Sequence, residues 1–333
     1  MNLDAAMREA IEQADRVKGH TYPNPPVGAV ILDSAGQVVG VGATSPPGGP
    51  HAEVLALRRA GDRAAGGTAV VTLEPCNHFG KTPPCVDALI AAKVSSVVYA
   101  LPDPNPTAAG GAVRLAEAGV GVTAGVLSDA VSAGPLREWL HKQRTGLPHV
   151  TWKFATSIDG RSAAADGTSQ WITSEAARAD VHRRRAAADA IVVGTGTVFV
   201  DDPKLTARLP SGDLAANQPL RVVVGEREIS PDAKVLNDDS PTMMIRTRDP
   251  HEVIRTLSDR TDVLLEGGPT LAGAFLRAGA IDRILAYVAP ILLGGPITAV
   301  DDVGVLSIAH AQRWRFDAMQ ALGPDVLLSL EPA

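Results

Sequence analysis

One histidine, one glutamate and two cysteines carry the strongest chemical signal in the chain. His51-Ala52-Glu53 is followed by Pro75-Cys76 and by Cys85, and the chain has no other cysteine. Zinc favours imidazole and thiolate ligands, and a catalytic zinc site keeps three protein ligands with a fourth position open. His51, Cys76 and Cys85 form such a set. Cys85 follows Pro83-Pro84 and falls in the first turn of an expected helix, where the helix dipole favours the thiolate. Glu53, two residues past the histidine, is placed to reach a metal-bound water without binding the metal. The bland alternative is a buried cysteine pair without metal; both cysteines beside prolines in one loop speak against it. A second signal is Gly267-Gly268-Pro269, which ends an apolar run and opens a helix with Pro in its first turn. Free N–H groups there suit a pyrophosphate, although a plain packing turn has the same composition.

The elements that must position these residues follow from periodicity. Leu3, Ala6, Met7, Ala10, Ile11, Ala14 and Val17 are spaced as a helix, and a Pro/Asn-rich turn leads to a strand over 27–32. His51 opens a helix ending near Gly61. Strands are expected over 68–73, 96–101 and 121–126, with helices over 85–92 and up to Gly119. Ser128 reads as the N-cap of a last helix running toward Arg144. Gly146-Leu147-Pro148 breaks the pattern. Beyond it, strands are expected over 149–156, 190–193, 220–224, 242–246 and 262–266, with helices over 174–188 and 270–277. This alternation on both sides of the break predicts two α/β domains, 1–145 and 146–333.

Composition narrows the function classes. The 333 residues are 45% hydrophobic and 20% charged, so a disordered chain is excluded. Net charge is −6 and aromatic content 4%, which argues against a nucleic-acid partner. The longest uncharged apolar stretch, Ile284 to Val300, is interrupted by Pro290, Gly294, Gly295 and Pro296. It reads as buried strands with a turn, not as a membrane span. The charged N-terminus resembles no signal peptide, and two cysteines cannot build a disulfide framework, so the cytoplasm is the expected compartment.

His51-Ala52-Glu53 with the two cysteines resembles zinc-dependent nucleobase deaminases, whose H-x-E … P-C-x-x-C signature uses the glutamate as proton shuttle. In that chemistry zinc makes hydroxide available near neutral pH. The glutamate carries a proton to the ring nitrogen and then to the leaving ammonia. Here eight residues separate the cysteines instead of two. The segment CNHFGKTPPC (Cys76 to Cys85) follows Thr72-Leu73-Glu74-Pro75. Together with Pro23-Asn24-Pro25 and Asp103-Pro104-Asn105-Pro106, it resembles the deaminase domain of the bifunctional riboflavin-biosynthesis deaminase–reductases. The resemblance implies a cytidine-deaminase-like three-layer domain acting on a pyrimidine that bears ribose 5-phosphate. It implies substrate contacts at Asn24, Asp103 and Asn105, and His78 and Lys81, inside the loop, are chemically suited to an anionic or polar part of the substrate. Asp and Asn beside Pro also form turns, which explains Asp103 and Asn105 about as well.

The second half carries Lys153, then GTSQWIT (Gly167 to Thr173), GTGTVFVDDPKLTAR (Gly194 to Arg208) and EGGPTLAG (Glu266 to Gly273). Gly194-x-Gly196 is not a Rossmann fingerprint, because the sixth position is Phe199. Together these segments resemble the reductase half of the same family. That implies a dihydrofolate-reductase-like domain using NADPH to reduce a ribosyl chain to ribityl. Cofactor positions fall on Ala155, Trp171, Thr197, Asp201 and Gly268, Pro269, Thr270, Leu271, Ala272, Gly273 and Ala274. Substrate positions fall on Ser169, Arg185, Leu205, Arg208 and Glu266, with phosphate recognition assigned to Arg185 and Arg208, whose guanidinium forks suit it. Lys153 or Asp201 assists proton transfer during ring opening. Glu226, just after the strand over 220–224, would repel the 2′-phosphate of NADPH unless Arg227 compensates. A homo-oligomer, most simply a dimer, is expected.

Two rival readings remain in view. One is a plain nucleoside or nucleobase deaminase fused to a reductase-like module with other substrates, which the long inter-cysteine loop disfavours. The other is a non-catalytic zinc-stabilised binding protein, which needs a closed site, and no third cysteine exists to close one.

Overall fold

Each of the two contact units, Met1–Gly146 and Leu147–Ala333, builds its own sheet. The computed structural model describes residues 2–80 and 82–333, so Lys81 lies outside the described residues.

In the first unit the elements are α1 (Leu3–Asp15), β1 (Gly28–Leu32), β2 (Val38–Ala43), α2 (Ala52–Ala60), β3 (Thr68–Leu73), α3 (Cys85–Ala91), β4 (Ser96–Leu101), α4 (Gly111–Glu117), β5 (Gly121–Ala124), α5 (Ser128–Ser132) and α6 (Arg137–Thr145). The sheet order is β2-β1-β3-β4-β5. β1 is antiparallel to both β2 and β3, whereas β3, β4 and β5 are parallel. Glycines let helices lie directly on both faces. A Cβ on Gly28 would stand 1.8 Å from the Ala10 carbonyl oxygen of α1, and one on Gly42 would stand 2.2 Å from the Ala52 oxygen of α2. Gly42 pairs with Ala29, the neighbour of Gly28, and neighbouring residues in a strand face opposite sides. Hence α1 and α2 cover opposite faces, and the unit is a three-layer α/β/α fold.

The second unit holds β6 (His149–Ser157), α7 (Glu175–Ala187), β7 (Ala190–Gly194), α8 (Thr195–Asp201), β8 (Leu220–Val224), β9 (Thr242–Ile245), α9 (Pro250–Thr256), β10 (Asp262–Leu265), α10 (Pro269–Arg277), β11 (Arg283–Ala289), β12 (Trp314–Leu322) and β13 (Asp325–Pro332). Its sheet runs β12-β13-β11-β6-β10-β7-β8-β9. The six strands from β11 to β9 are parallel, and β13 and β12 add an antiparallel edge. Val150, Val192, Val222 and Leu265 pack with α9 and α10 on one face. Ile191, Val193, Val223 and Leu264 pack with Val198 of α8 on the other. Burial on both faces explains why these strands read as continuous apolar runs.

Two sequence expectations are corrected. The helix expected from Ser128 to Arg144 is two helices, because Gly134-Pro135 interrupts it, and Pro135 cannot donate a helical hydrogen bond. Ser128 is the first helical residue, and Leu127, in the left-handed region at φ 53°, holds the cap position. The stretch 284–300 holds one buried strand, β11. Past Pro290 the chain turns outward, leaving Leu292 77% exposed.

Candidate active sites

α2 begins at Ala52, so His51 sits at its N-cap in extended backbone and Glu53 in its first turn, where it is buried. β3 ends at Leu73, and the chain continues through Glu74 and Pro75 to Cys76. Cys85 opens α3. Three elements therefore deliver three donors to one point. His51 Nδ1 lies 3.2 Å from Cys85 Sγ and 3.5 Å from Cys76 Sγ, and all three donor atoms lie within 4.8 Å of one another. Tetrahedral zinc with bonds of about 2.0–2.3 Å needs donors about 3.5–3.8 Å apart, so this set fits the metal. Thr82 Oγ1 stands 3.4 Å from His51 Nε2, the ring nitrogen facing away from the sulfurs. Outer partners of that kind hold a ligating imidazole in one tautomer and orientation. Sequence reasoning did not single out Thr82, and only its place inside the inter-cysteine loop hinted at it.

Burial pushes the Glu53 carboxyl up to about 7, with the Cys76 charge adding to the rise. The two thiols interact, and they divide otherwise than expected. The first amide of α3, that of Cys85, donates to Cys76 Sγ at 3.4 Å. Hydrogen bonding from the Cys85 side chain and this amide favours the Cys76 thiolate, drawing it down to about 4. Cys85, facing Cys76 and fully buried, is pushed up. The amide at the start of α3 thus serves the other cysteine.

Around this cluster, Glu74 is buried and accepts from the amides of Asp103 (3.2 Å) and Ala112 (2.9 Å), tying the Asp103–Pro106 loop to the end of β3. Asp103 accepts from the Asn105 amide at 2.9 Å and Asn105 from the Thr107 amide at 3.1 Å, so both side chains do form turns. Burial raises the Asp103 carboxyl, and Glu74 and Cys76 add to the rise. His78 Nδ1 is buried without a hydrogen-bond partner among the described residues. Asn24 is half-buried before β1, and its side chain makes no hydrogen bond among the described residues.

In the second unit Lys153, Arg185 and Glu266 meet beside the C-terminal end of β10, and Thr197 and Gly268 meet just past β7 and β10, the end of such sheets where ligands lie. Glu266, just past β10, is the hub. Both its oxygens take the Arg185 fork, at 2.7 and 2.8 Å, and Lys153 Nζ of β6 lies 3.6 Å away. Arg185 also donates to the Thr206 carbonyl at 3.2 Å. The Arg185 guanidinium thus ties Glu266 to the DDPKLTAR segment. Burial lowers the Lys153 ammonium, although Glu266 opposes the shift. Arg208 is half-buried, with one N–H on the Gly212 carbonyl at 2.7 Å. Leu205 is buried in the left-handed region at φ 52°. Ser169 is half-buried, and Trp171 is exposed under the Arg178 guanidinium, 4.7 Å from its ring centre. Ala155 lies on β6.

Gly268 caps α10 and its amide donates to Thr197 Oγ1 of α8 at 3.3 Å. The Thr270 and Leu271 amides stand at the open helix start. From Ala272 onward the turn is closed, since the Ala272 amide donates to the Gly268 carbonyl and its side chain is core. A Cβ on Gly273 would stand 2.9 Å from the Asp302 oxygen, so Gly273 is a packing residue. Gly268 to Leu271 therefore form the open start of α10, and Ala272 and Gly273 pack inward behind it. Asp201 ends α8, exposed and without an ion-pair partner among the described residues.

A three-donor zinc cluster with a buried carboxylate on a cytidine-deaminase-like fold, and a parallel reductase-type sheet with an open glycine turn, define a bifunctional deaminase–reductase. Residues 1–101 match the cytidine and deoxycytidylate deaminase zinc-binding region, and residues 148–328 match the RibD C-terminal domain. The chain is 72% identical to the riboflavin biosynthesis protein RibD of Mycobacterium tuberculosis, over 99% of this chain and 97% of that one. It is 40% identical to Escherichia coli RibD over 97% and 98% of the two chains. The solved structure of Acinetobacter baumannii RibD superposes with a TM-score of 0.88 at 39% identity, covering 99% of each chain. A Thermotoga maritima structure does so with a TM-score of 0.89 at 29% identity, also covering 99% of each. The chain belongs to the RibD family and is a deaminase and reductase of riboflavin biosynthesis.

Proposed function

We propose that residues 1–145 deaminate a diaminopyrimidine bearing a ribosyl phosphate and that residues 146–333 reduce the ribosyl chain of the product. The Thermotoga maritima relative is named a diaminohydroxyphosphoribosylaminopyrimidine deaminase and 5-amino-6-(5-phosphoribosylamino)uracil reductase, which supports these substrates. The observation that carries the reading is the meeting of His51, Cys76 and Cys85 beside Glu53. His51 Nδ1 and the two sulfurs hold zinc, which when bound supplies the Lewis acidity that makes water a nucleophile near neutral pH. Glu53 takes the proton that water loses on adding to the amino-bearing ring carbon. It gives that proton to the ring nitrogen, then relays the proton of the added hydroxyl to the departing amine, so that ammonia leaves and a carbonyl remains. His78 and Asn24, whose Nδ1 and side-chain amide have no partner among the described residues, hold the polar groups of the substrate.

In the second unit, the Thr270 and Leu271 amides and Thr197 hold the pyrophosphate of NADPH, which supplies the hydride. Lys153 handles the proton during ring opening, in preference to Asp201. It is enclosed with Glu266 beside the C-terminal end of β10, and burial shifts its ammonium toward the range where it can give up a proton. Arg208, whose fork meets no carboxylate among the described residues, takes the phosphate. The test supplies the diaminopyrimidine ribosyl phosphate with and without NADPH and identifies products by mass. Amine-to-carbonyl exchange alone without NADPH, and exchange plus reduction with it, is the expected pair. Reduction preceding ammonia release would overturn the order.

A further inference from the structure

β8 leads into Gly225-Glu226-Arg227-Glu228 and β9 into Arg246-Thr247-Arg248. From the Gly267-Gly268 turn after β10, the sheet continues outward through β7 to β8 and β9. A dinucleotide with its pyrophosphate at the start of α10 and its nicotinamide toward Lys153 on β6 points its adenosine toward β8. β8 is about 10 Å from β10 at the usual strand spacing.

Two acidic residues stand there, and each is matched. Glu226 Oε2 lies 3.0 Å from Arg248 Nη2, and Glu228 Oε1 lies 3.4 Å from Arg246 Nη2. Arg227, between them in sequence, has no acidic partner and no hydrogen bond among the described residues. Its guanidinium instead lies 4.8 Å from the centre of the Phe199 ring on α8, and a Cβ on Gly196 would stand 3.5 Å from its Nη2. Stacking on an aromatic ring holds a guanidinium in place while leaving its in-plane N–H groups free. The result is a positioned, unspent cation beside the helix that carries Thr197, with its acidic neighbour Glu226 neutralised from β9.

We propose that Arg227 reads the 2′-phosphate of NADPH and that Arg248 permits this by pairing Glu226. The proposal rests on the assignment of NADPH to this sheet. A phosphate monoester carries close to two negative charges and matches the guanidinium fork, whereas NADH offers only a hydroxyl at that position. An unpaired Glu226 would favour that hydroxyl, as acidic residues do in NAD-selective folds.

The experiment titrates the full chain with NADPH and NADH, followed by nicotinamide fluorescence, and with adenosine 2′,5′-bisphosphate and AMP, followed by calorimetry. Arg227→Ala is expected to weaken NADPH and the bisphosphate by about 10- to 100-fold and to leave NADH and AMP unchanged. Arg248→Ala weakens NADPH in the same direction, without weakening NADH. Equal losses for NADPH and NADH would mean that Arg227 stacks on adenine, and would overturn the proposal. Unchanged NADPH binding in Arg227→Ala, with wild type still preferring NADPH, would place phosphate recognition elsewhere. Wild-type protein that binds neither dinucleotide would remove the NADPH assignment itself, an outcome distinct from the other two.

Discussion

Replacing Glu266 with Gln is expected to destabilise the second unit by about 3 kcal/mol at neutral pH, and two routes lead to that size. The first is electrostatic. The Glu266 side chain is 6% exposed, and its partners Arg185 and Lys153 are each 17% exposed. Removing one member of a buried ion pair leaves uncompensated charge and costs about 3–5 kcal/mol. The second is proton linkage. Burial alone would raise the Glu266 carboxyl, but the charges of Arg185 and then Lys153 overcome it and hold it at about 2 instead of 4.5. A depression of that size corresponds to about 3 kcal/mol. Because the folded value lies below the unfolded one, the contribution is complete above about pH 4.5 and is lost as pH falls toward about 2. Scanning calorimetry from pH 7 downward reads both effects. Glu266→Gln should melt roughly 10 °C below wild type at pH 7. The gap should narrow on acidification, since wild type loses the interaction and the amide has none to lose. A gap below a few degrees at pH 7, or one that stays constant down to pH 3, would refute the reasoning.

Three further outcomes are expected. Cys76→Ser should abolish stoichiometric zinc by metal analysis and ammonia release together; full zinc content in that variant removes Cys76 from the ligand set. Thr82→Val should weaken zinc about tenfold in chelator competition, as loss of an outer partner does, and an unchanged zinc affinity means that the Thr82 contact does not orient His51. Arg208→Ala should cripple reduction through a raised KM for the phosphorylated substrate while ammonia release stays near normal, and a folded, zinc-loaded variant that no longer deaminates would contradict separate sites.

The zinc set was legible because its residue types have few other uses at that spacing, and β3, β7, β8 and β10 because strands buried on both faces leave unbroken apolar runs. The hairpin of β12 and β13 left no such trace. β12 exposes Phe316 and Met319 and shows no two-residue alternation, so only its ladder to β13 identifies it. Contacts with long-range partners leave no local trace either. Nothing around Arg185 in sequence tells whether its fork meets a phosphate or a carboxylate, and the carboxylate lies 81 positions away. Likewise the helix start at Cys85 was visible, but the return of the loop that places Cys76 against the Cys85 amide was not.

The division of labour between the units is tested most directly by Glu53→Gln given each substrate in turn. His51, Cys76 and Cys85 precede Gly146, and the Lys153, Arg185 and Glu266 cluster follows it. With the diaminopyrimidine ribosyl phosphate, the variant should retain zinc and lose about 10²–10⁴-fold in ammonia release, the usual worth of a positioned proton shuttle. With the pre-formed aminouracil ribosyl phosphate and NADPH, its rate of reduction should match that of wild type. Ammonia release within a few-fold of wild type, or a parallel collapse of reduction in the zinc-loaded variant, would contradict the account.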